Sequence, residues 1–489
     1  MSPAPLRATS RTLRPLLAPL ALAVLSACAV GPDYRPPAVQ APDAFLGADH
    51  ARFTTAEVQR EFWRAFGDAT LEELIEQALA ANHDIRIATA RLLEARALRG
   101  ETQLDLAPTV TASGDRTESR ASLRQAPPGS GIDRDQDYYQ AGFDAFWELD
   151  FFGRTRRAVE ARAAQADAAL NGVYDAQVSV TAEVARNYFE LRGDQQRLEV
   201  ARRNAENQRE TLRITTARLQ AGRGTELDTA RAQAQLSATL GTIPELEASI
   251  MRAILRLGVL TGQGPQSLLA SLSQPAPLPE LPATHGIGTP EALLRRRPDI
   301  RIAERELAAA TARIGLAVAD LFPRVSFVGR WAADASSSGD LGSSGSESYA
   351  FGPSIQWAAF DLGRVRQRIL QSEAAAQGAL ARYERSVLRA LEETDASLTD
   401  YIKALARREH LERSAAASVA AARLARVRFE NGAEDFLAVL DAERSVLEAE
   451  DRLALSRTRT ATALLAAYKA LGGGFRPLPP GTPLARTGN

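Results

Sequence analysis

Three short stretches of the chain alternate apolar and polar residues with a period of two. Tyr139, Ala141, Phe143, Ala145, Trp147 and Leu149 interleave with Gln140, Gly142, Asp144, Phe146, Glu148 and Asp150. Val325, Phe327, Gly329, Trp331 and Ala333 interleave with Ser326, Val328, Arg330, Ala332 and Asp334, and Tyr349, Phe351, Ile355 and Trp357 follow the same rule. Period two predicts strands with one apolar, aromatic face and one mostly polar face. A fourth, weaker strand is predicted to begin near Thr109. Each run has about ten residues, the length of a tilted membrane-spanning strand, although a soluble sandwich alternates in the same way. Polar loops close both predicted hairpins, and Pro353 sits awkwardly in its strand because it donates no ladder hydrogen bond.

The rest of the pattern is helical. No proline occurs from Arg154 to about Gln220, where Val184, Leu191, Leu198, Ala205, Leu212 and Leu219 recur every seven residues. Leu236, Ile243, Ile250 and Leu257 repeat this spacing in a second helix, and Leu391, Leu398 and Leu405 in a later one. Sustained heptads predict coiled-coil packing. A helix of that length spans roughly 100 Å at ~1.5 Å per residue, over three times a bilayer core. The turns "AGRGTE" and "NGAEDF" join the helices into hairpins, with Gly222 and Gly432 placed as C-cap residues.

The chain also matches itself. Asp84-Ile85-Arg86-Ile87-Ala88 falls on Asp299-Ile300-Arg301-Ile302-Ala303, and Leu106-Ala107-Pro108 on Leu321-Phe322-Pro323. Trp147, Gly153, Arg154 and Arg156 match Trp357, Gly363, Arg364 and Arg366; Gly222 and Leu227 match Gly432 and Leu437. Conserved order through tryptophan, glycine and proline points to two structural repeats rather than chance similarity. The first is expected over 69–272, with a β-hairpin at 108–150 and a coiled-coil hairpin at 154–262. The second is expected over 289–472, with its β-hairpin at 323–360 and its coiled-coil hairpin at 364–471. A Pro-rich linker, 273–288, separates them. An extended arm over 28–68 precedes the first repeat, and a tail over 473–489 follows the second.

The N-terminus adds an address. Arg7, Arg11 and Arg14 precede the apolar run Leu16–Leu25, and small residues precede Cys28, the single cysteine of the 489 residues. A positive region, a short apolar region and small residues describe a secretory signal peptide over 1–27. Leu25-Ser26-Ala27-Cys28 resembles the bacterial lipobox, which implies a covalent lipid on Cys28 and an outer-membrane anchor; ordinary cleavage with an idle thiol is the alternative. No other segment holds 18 uninterrupted apolar residues, so any membrane crossing must use strands. Four strands cannot close a barrel, and an open edge is not tolerated in lipid. A membrane reading therefore requires several chains to share one barrel.

Charge and reactive groups exclude much else. The net charge of −1 argues against nucleic acid as a partner. Lys403 and Lys469 are the only lysines, which removes every Gly-Lys phosphate loop. His50, His83, His285 and His410 are isolated, with no metal-ligand spacing. No G-x-S-x-G motif occurs, and no metal or soluble cofactor is expected. The chain reads as a non-enzyme.

"CAVGPDYRPP", "FWRAFGDATLEELIEQALAANHDIRIA", "FGPSIQWAAFDLGRVRQRI" and "RLQAGRGTELDTARAQ" together resemble the TolC/OprM-like outer-membrane factors, in their NodT-type lipoprotein branch. The resemblance covers nearly the whole mature chain. It implies a mainly α fold with a small transmembrane β part. Three copies would share a twelve-stranded β-barrel, continued by a long periplasmic α-helical coiled-coil barrel. The implied role is the exit duct of a tripartite efflux system for small molecules. Its implied partners are a periplasmic adaptor (membrane fusion protein) and an inner-membrane transporter of the RND type. A protein-secretion duct and a pore-less structural lipoprotein are the alternatives. Family members carry a residue like Pro353 in this strand.

Leu437, Asp441 and Arg444 lie at i, i+4 and i+7 on one helical face. Converging copies would make rings of them, a carboxylate ring holding cations and a leucine ring dewetting the bore. The resemblance implies the same positions, with Asp228 of the first hairpin, as a periplasmic gate, while Ala438 departs from a second acidic residue in TolC-like members. The alternative is an exposed i, i+3 pair of Asp441 and Arg444. Adaptor docking is expected at the turns marked by Arg218 and Gly222, and by Arg428 and Gly432.

Overall fold

The computed structural model describes residues 29–38, 41–125, 129, 131 and 133–477. The signal segment, Cys28 and the tail beyond 477 lie outside them. Along the chain, β1 (Phe53–Thr54) and a 3-10 turn at Phe62–Phe66 lead to α1 (Ala69–Ala81) and α2 (His83–Leu104). Then come β2 (Thr109–Arg120), β3 (Asp135–Leu149), α3 (Arg154–Gln220) and α4 (Glu226–Leu260). A short α5 (Leu269–Leu272), β4 (His285–Gly286) and α6 (Pro290–Arg296) precede α7 (Pro298–Ala319). The chain ends in β5 (Arg324–Ala335), β6 (Glu347–Gln356), α8 (Leu362–Glu430) and α9 (Phe436–Ala470). It is mainly helical, with a small sheet. α3 and α8 have 67 and 69 residues, and α4 and α9 have 35 each. α4 continues through Pro244.

Two compact units emerge. The first, with described residues 29–37, 93–125, 129, 131, 133–168 and 303–383, holds an antiparallel sheet in the order β2-β3-β5-β6. The two hairpins are thus joined by β3 pairing with β5, Phe143 opposite Trp331. Register places the alternation on consistent sides. Val110, Phe143, Trp147, Phe327, Trp331, Phe351 and Ile355 share one face, and all are exposed. Thr111, Ser113, Asp144, Arg330, Ser326 and Ser354 share the other, with Phe146 and Val328 as apolar exceptions. Trp147 donates its indole N–H to the Leu106 carbonyl at 3.0 Å, and Trp357 donates to the Leu321 carbonyl at the same distance. The N-terminal arm is fastened here. Val30 N–H donates to the Phe152 carbonyl at 3.1 Å, and the buried Arg157 reaches the Val30 carbonyl and Asp33, the latter at 2.7 Å.

The second unit, with described residues 38, 41–92, 169–302 and 384–477, contains the main core. Phe62 and Trp63 are fully buried there with Leu71, Ile75, Val184, Leu191, Ile254, Leu257 and Leu398, so the arm ends inside the core rather than extended throughout. The heptad residues face inward because the seven-residue spacing keeps one stripe of each helix turned to its neighbour. Val184 and Leu191 are 0% exposed and Ala205 1%. Close approach of α3 and α9 requires Gly193. A Cβ there would stand 2.0 Å from the Thr458 hydroxyl oxygen, so any side chain would force the helices apart.

Candidate functional site

The hairpin turns at 218–228 and 428–444 carry the sequence-predicted site residues. Both long helices stop by the same device. Gly222 and Gly432 adopt φ of 69° and 73°, a left-handed conformation that glycine reaches without Cβ strain. Gly222 N–H then donates to the Leu219 carbonyl and Arg223 N–H to the Arg218 carbonyl, at 2.9 and 2.8 Å. Gly432 and Ala433 bond Phe429 and Arg428 in the same way, at 3.0 and 2.9 Å. This is the Schellman arrangement, which satisfies otherwise orphaned carbonyls.

The following helices begin differently. Thr225 caps α4 by accepting from Asp228 N–H, and the Asp228 carboxylate accepts from the Thr225 hydroxyl at 2.7 Å and its N–H at 3.3 Å. Asp228 is thus half of a capping box. α9 is capped by Asp435, which accepts from Leu437 N–H at 3.5 Å. Beyond that cap, Leu437 is 50% exposed. Arg444 donates to the Asp441 carboxylate at 2.8 Å, with both side chains open to solvent. The i, i+3 pair is present, and its screened interaction is worth only a few tenths of a kcal/mol, ~0.3.

The two docking arginines are engaged within the chain. Arg218 stacks its guanidinium 3.9 Å from the centre of the Phe429 ring, a cation–π contact. Arg428 pairs with Glu434 at 3.1 Å. Phe429 meets Phe436 at 5.4 Å between ring centres, and Phe436, Val439, Leu440 and Ala232 form a small buried cluster behind the turns. Sequence reasoning missed the polar group beside it. Glu443 is 9% exposed, and its Oε1 accepts from Arg426 at 2.5 Å and from the Thr211 hydroxyl at 2.9 Å. One carboxylate therefore ties α3, α8 and α9 together. A glutamate among arginines reads as a solvated charge, so only its place on the inward stripe could have signalled burial.

The remaining candidates are dispersed. Cys28 lies outside the described residues. Among the described residues no group of three or more His, Cys, Asp or Glu is placed to hold a metal ion, and no helix is long and apolar enough to cross a membrane. His285 sits in the core of the second unit, 3% exposed, with Nδ1 3.0 Å from the Tyr468 hydroxyl and Nε2 2.8 Å from that of Tyr401. Burial, with Arg52 nearby, lowers its pKa to about 4.

Comparison with known proteins adds to this geometry. The solved structure of the outer-membrane channel OprN superposes with a TM-score of 0.84 at 44% identity, covering 91% of this chain and 99% of that one. The toluene efflux pump outer membrane protein TtgI of Pseudomonas putida is 31% identical over 473 residues, 93% of this chain and 97% of its own. Nodulation protein T of Rhizobium leguminosarum bv. trifolii is 28% identical over 461 residues, 93% of this chain and 96% of its own. The outer membrane efflux protein family matches residues 74–263 and 289–473. A paired-hairpin sheet, heptad helices ending in matched turns and a family match over most of the chain converge: this protein belongs to the outer membrane efflux protein family.

Proposed function

We propose that the chain is the outer-membrane channel of a tripartite efflux system, built as a homotrimer. The carrying observation is the sheet with two outer strands, β2 and β6, that lack a neighbour among the described residues. Unpaired backbone in hydrocarbon costs several kcal/mol per group, on the order of 4. Pairing β6 of one copy with β2 of the next satisfies it, and three copies of four strands give a closed barrel of twelve. The exposed aromatic face then meets lipid and the polar face lines the bore. The long helices continue as a periplasmic coiled-coil barrel, and the matched Trp147 and Trp357 bonds support reading the protomer as two structural repeats.

Val30 is bonded beside Phe152, just past the end of β3. A lipid on Cys28, which lies outside the described residues, would anchor the chain in the leaflet through this arm. Leu437 and Asp441 of three copies form the gate at the periplasmic end, with Arg444 setting the carboxylate. Asp228 contributes through the turn it caps. The turns at Arg218–Gly222 and Arg428–Gly432 dock a periplasmic adaptor, which links the duct to an RND-type inner-membrane pump. The relative TtgI is named for toluene efflux, and the cargo class proposed here is likewise small organic molecules. Purified protein in mild detergent should run as a trimer and conduct ions in planar bilayers; a monomer that leaves bilayers sealed overturns the reading.

A further inference from the structure

The two β-hairpins share one geometry. Thr109, directly after Pro108, stands opposite Phe146, directly before Trp147. Arg324, directly after Pro323, stands opposite Gln356, directly before Trp357. Each tryptophan donates to the carbonyl two residues before its proline, Leu106 or Leu321, at 3.0 Å. The chain also shows how such hairpins join side by side. β3 pairs with β5, placing Trp147 opposite Phe327, Ala145 opposite Gly329 and Phe143 opposite Trp331. At the strand ends this junction is closed by Arg154, 3.5 Å from the Asp320 carboxylate, and by Phe152 stacked on Phe322 with ring centres 4.6 Å apart.

The self-match of the sequence carries this junction to the outer strands. Trp147 and Arg154 correspond to Trp357 and Arg364, and Asp320, Phe327 and Gly329 to Asp105, Ala112 and Gly114. The charges at these outer positions are left over within the chain. Arg154 is also held by Glu148, at 3.5 Å. The counterpart of Glu148 is Ala358, and the Arg364 guanidinium pairs only with the exposed Asp361, at 3.3 Å. Asp320 is also held by Arg324, at 2.5 Å. The counterpart of Arg324 is Thr109, and Asp105 is exposed with no ion-pair or hydrogen-bond partner among the described residues. One outer strand thus ends beside an arginine short of an acid, and the other begins beside an acid short of a cation. Resting on the trimer proposed above, we infer how one copy joins the next: β6 pairs with β2 of the next copy in the register of β3 with β5. Trp357 then stands opposite Ala112 and Ile355 opposite Gly114 of the next copy, and Arg364 pairs with its Asp105. This register keeps Val110 and Ile355 on the one apolar face they share within the chain. A slip of one residue would turn one strand's apolar side to the polar face. A slip of two keeps the faces but draws Arg364 and Asp105 apart by ~7 Å.

The test is disulfide trapping between copies of the full-length protein in mild detergent. Ile355→Cys combined with Gly114→Cys should give covalent dimers and trimers roughly tenfold faster than Ile355→Cys combined with Ala112→Cys or Arg116→Cys. Directly opposed Cβ atoms stand about 5 Å apart and diagonal ones ~7–8 Å, beyond disulfide reach. Equal or faster trapping of either offset pair overturns the register. Independently, Arg364→Asp and Asp105→Arg should each lower the temperature at which the trimer dissociates, and the double exchange should recover most of the loss. Single variants without effect, or a double exchange without recovery, overturn the ion pair. A conducting trimer with the wrong trapping pattern overturns this junction alone, whereas a monomeric wild-type protein overturns the trimer and the junction together.

Discussion

Arg426 donates to Glu443 at 2.5 Å, on the same carboxylate oxygen that accepts the Thr211 hydroxyl. Three helices approaching the turns thus depend on one buried acid. Removing it strands a partly buried guanidinium. Glu443→Ala should destabilise the turn region by about 1–3 kcal/mol, below the ~3–5 of a fully buried pair because Arg426 is partly open to solvent. Hydrogen exchange should rise for amides between 205 and 220 and between 436 and 446. Unaltered protection there would show that the carboxylate carries no such duty.

If Asp441 rings the proposed gate, Asp441→Ala should raise the single-channel conductance of the trimer and lower its selectivity for cations, with little loss of stability because the pair with Arg444 is exposed. Planar-bilayer recording checks this. Identical conductance and selectivity would remove Asp441 from the gate.

Gly222→Ala and Gly432→Ala meet open space, with nothing within 4 Å of the added Cβ. Their cost is therefore purely conformational, about 1 kcal/mol each from the left-handed backbone. If the turns dock an adaptor, cysteines at Ala221 and Ala433 should crosslink to it, and the glycine variants should crosslink less. Full crosslinking yield in both variants would separate docking from turn geometry.

His285 makes stability depend on pH with a defined sign. Its folded pKa, about 4, lies below the ordinary 6.5, so the unfolded chain takes up the proton first. The contribution is fully present above pH 6.5 and is lost as pH falls toward 4, amounting to on the order of 3 kcal/mol. The groups facing the ring are Tyr401 on α8, Tyr468 on α9, and Phe53 and Arg52 beside β1. Thermal unfolding of wild type and His285→Gln across this window isolates the term. Parallel pH profiles would exclude it.

Much of this was legible in the sequence because the patterns are long. Alternation located β3, β5 and β6, and the heptads through Leu191, Leu257 and Leu398 marked the inward stripes. β2 was faint because its apolar face is small, with Ala112 opposite Phe143 and Gly114 opposite Ala141. The pairing of β3 with β5 left no trace, since strands joined across some 170 residues share no local period. Asp228 was read through the resemblance alone, although the T-x-x-D spacing of a capping box was already there. The burial of Glu443 and the seat of His285 between two tyrosines depend on which helices meet, which no single segment records.

In the proposed shared barrel, the outer strands β2 and β6, which lack a neighbour among the described residues, make failure collective. A defect confined to β2 or β6 would spare the folding of its own polypeptide yet leave a gap in any ring that admits it. Coexpressed with intact copies, such a subunit would poison most of the assemblies it joins, so a recessive-looking lesion at the seam should behave as a dominant one.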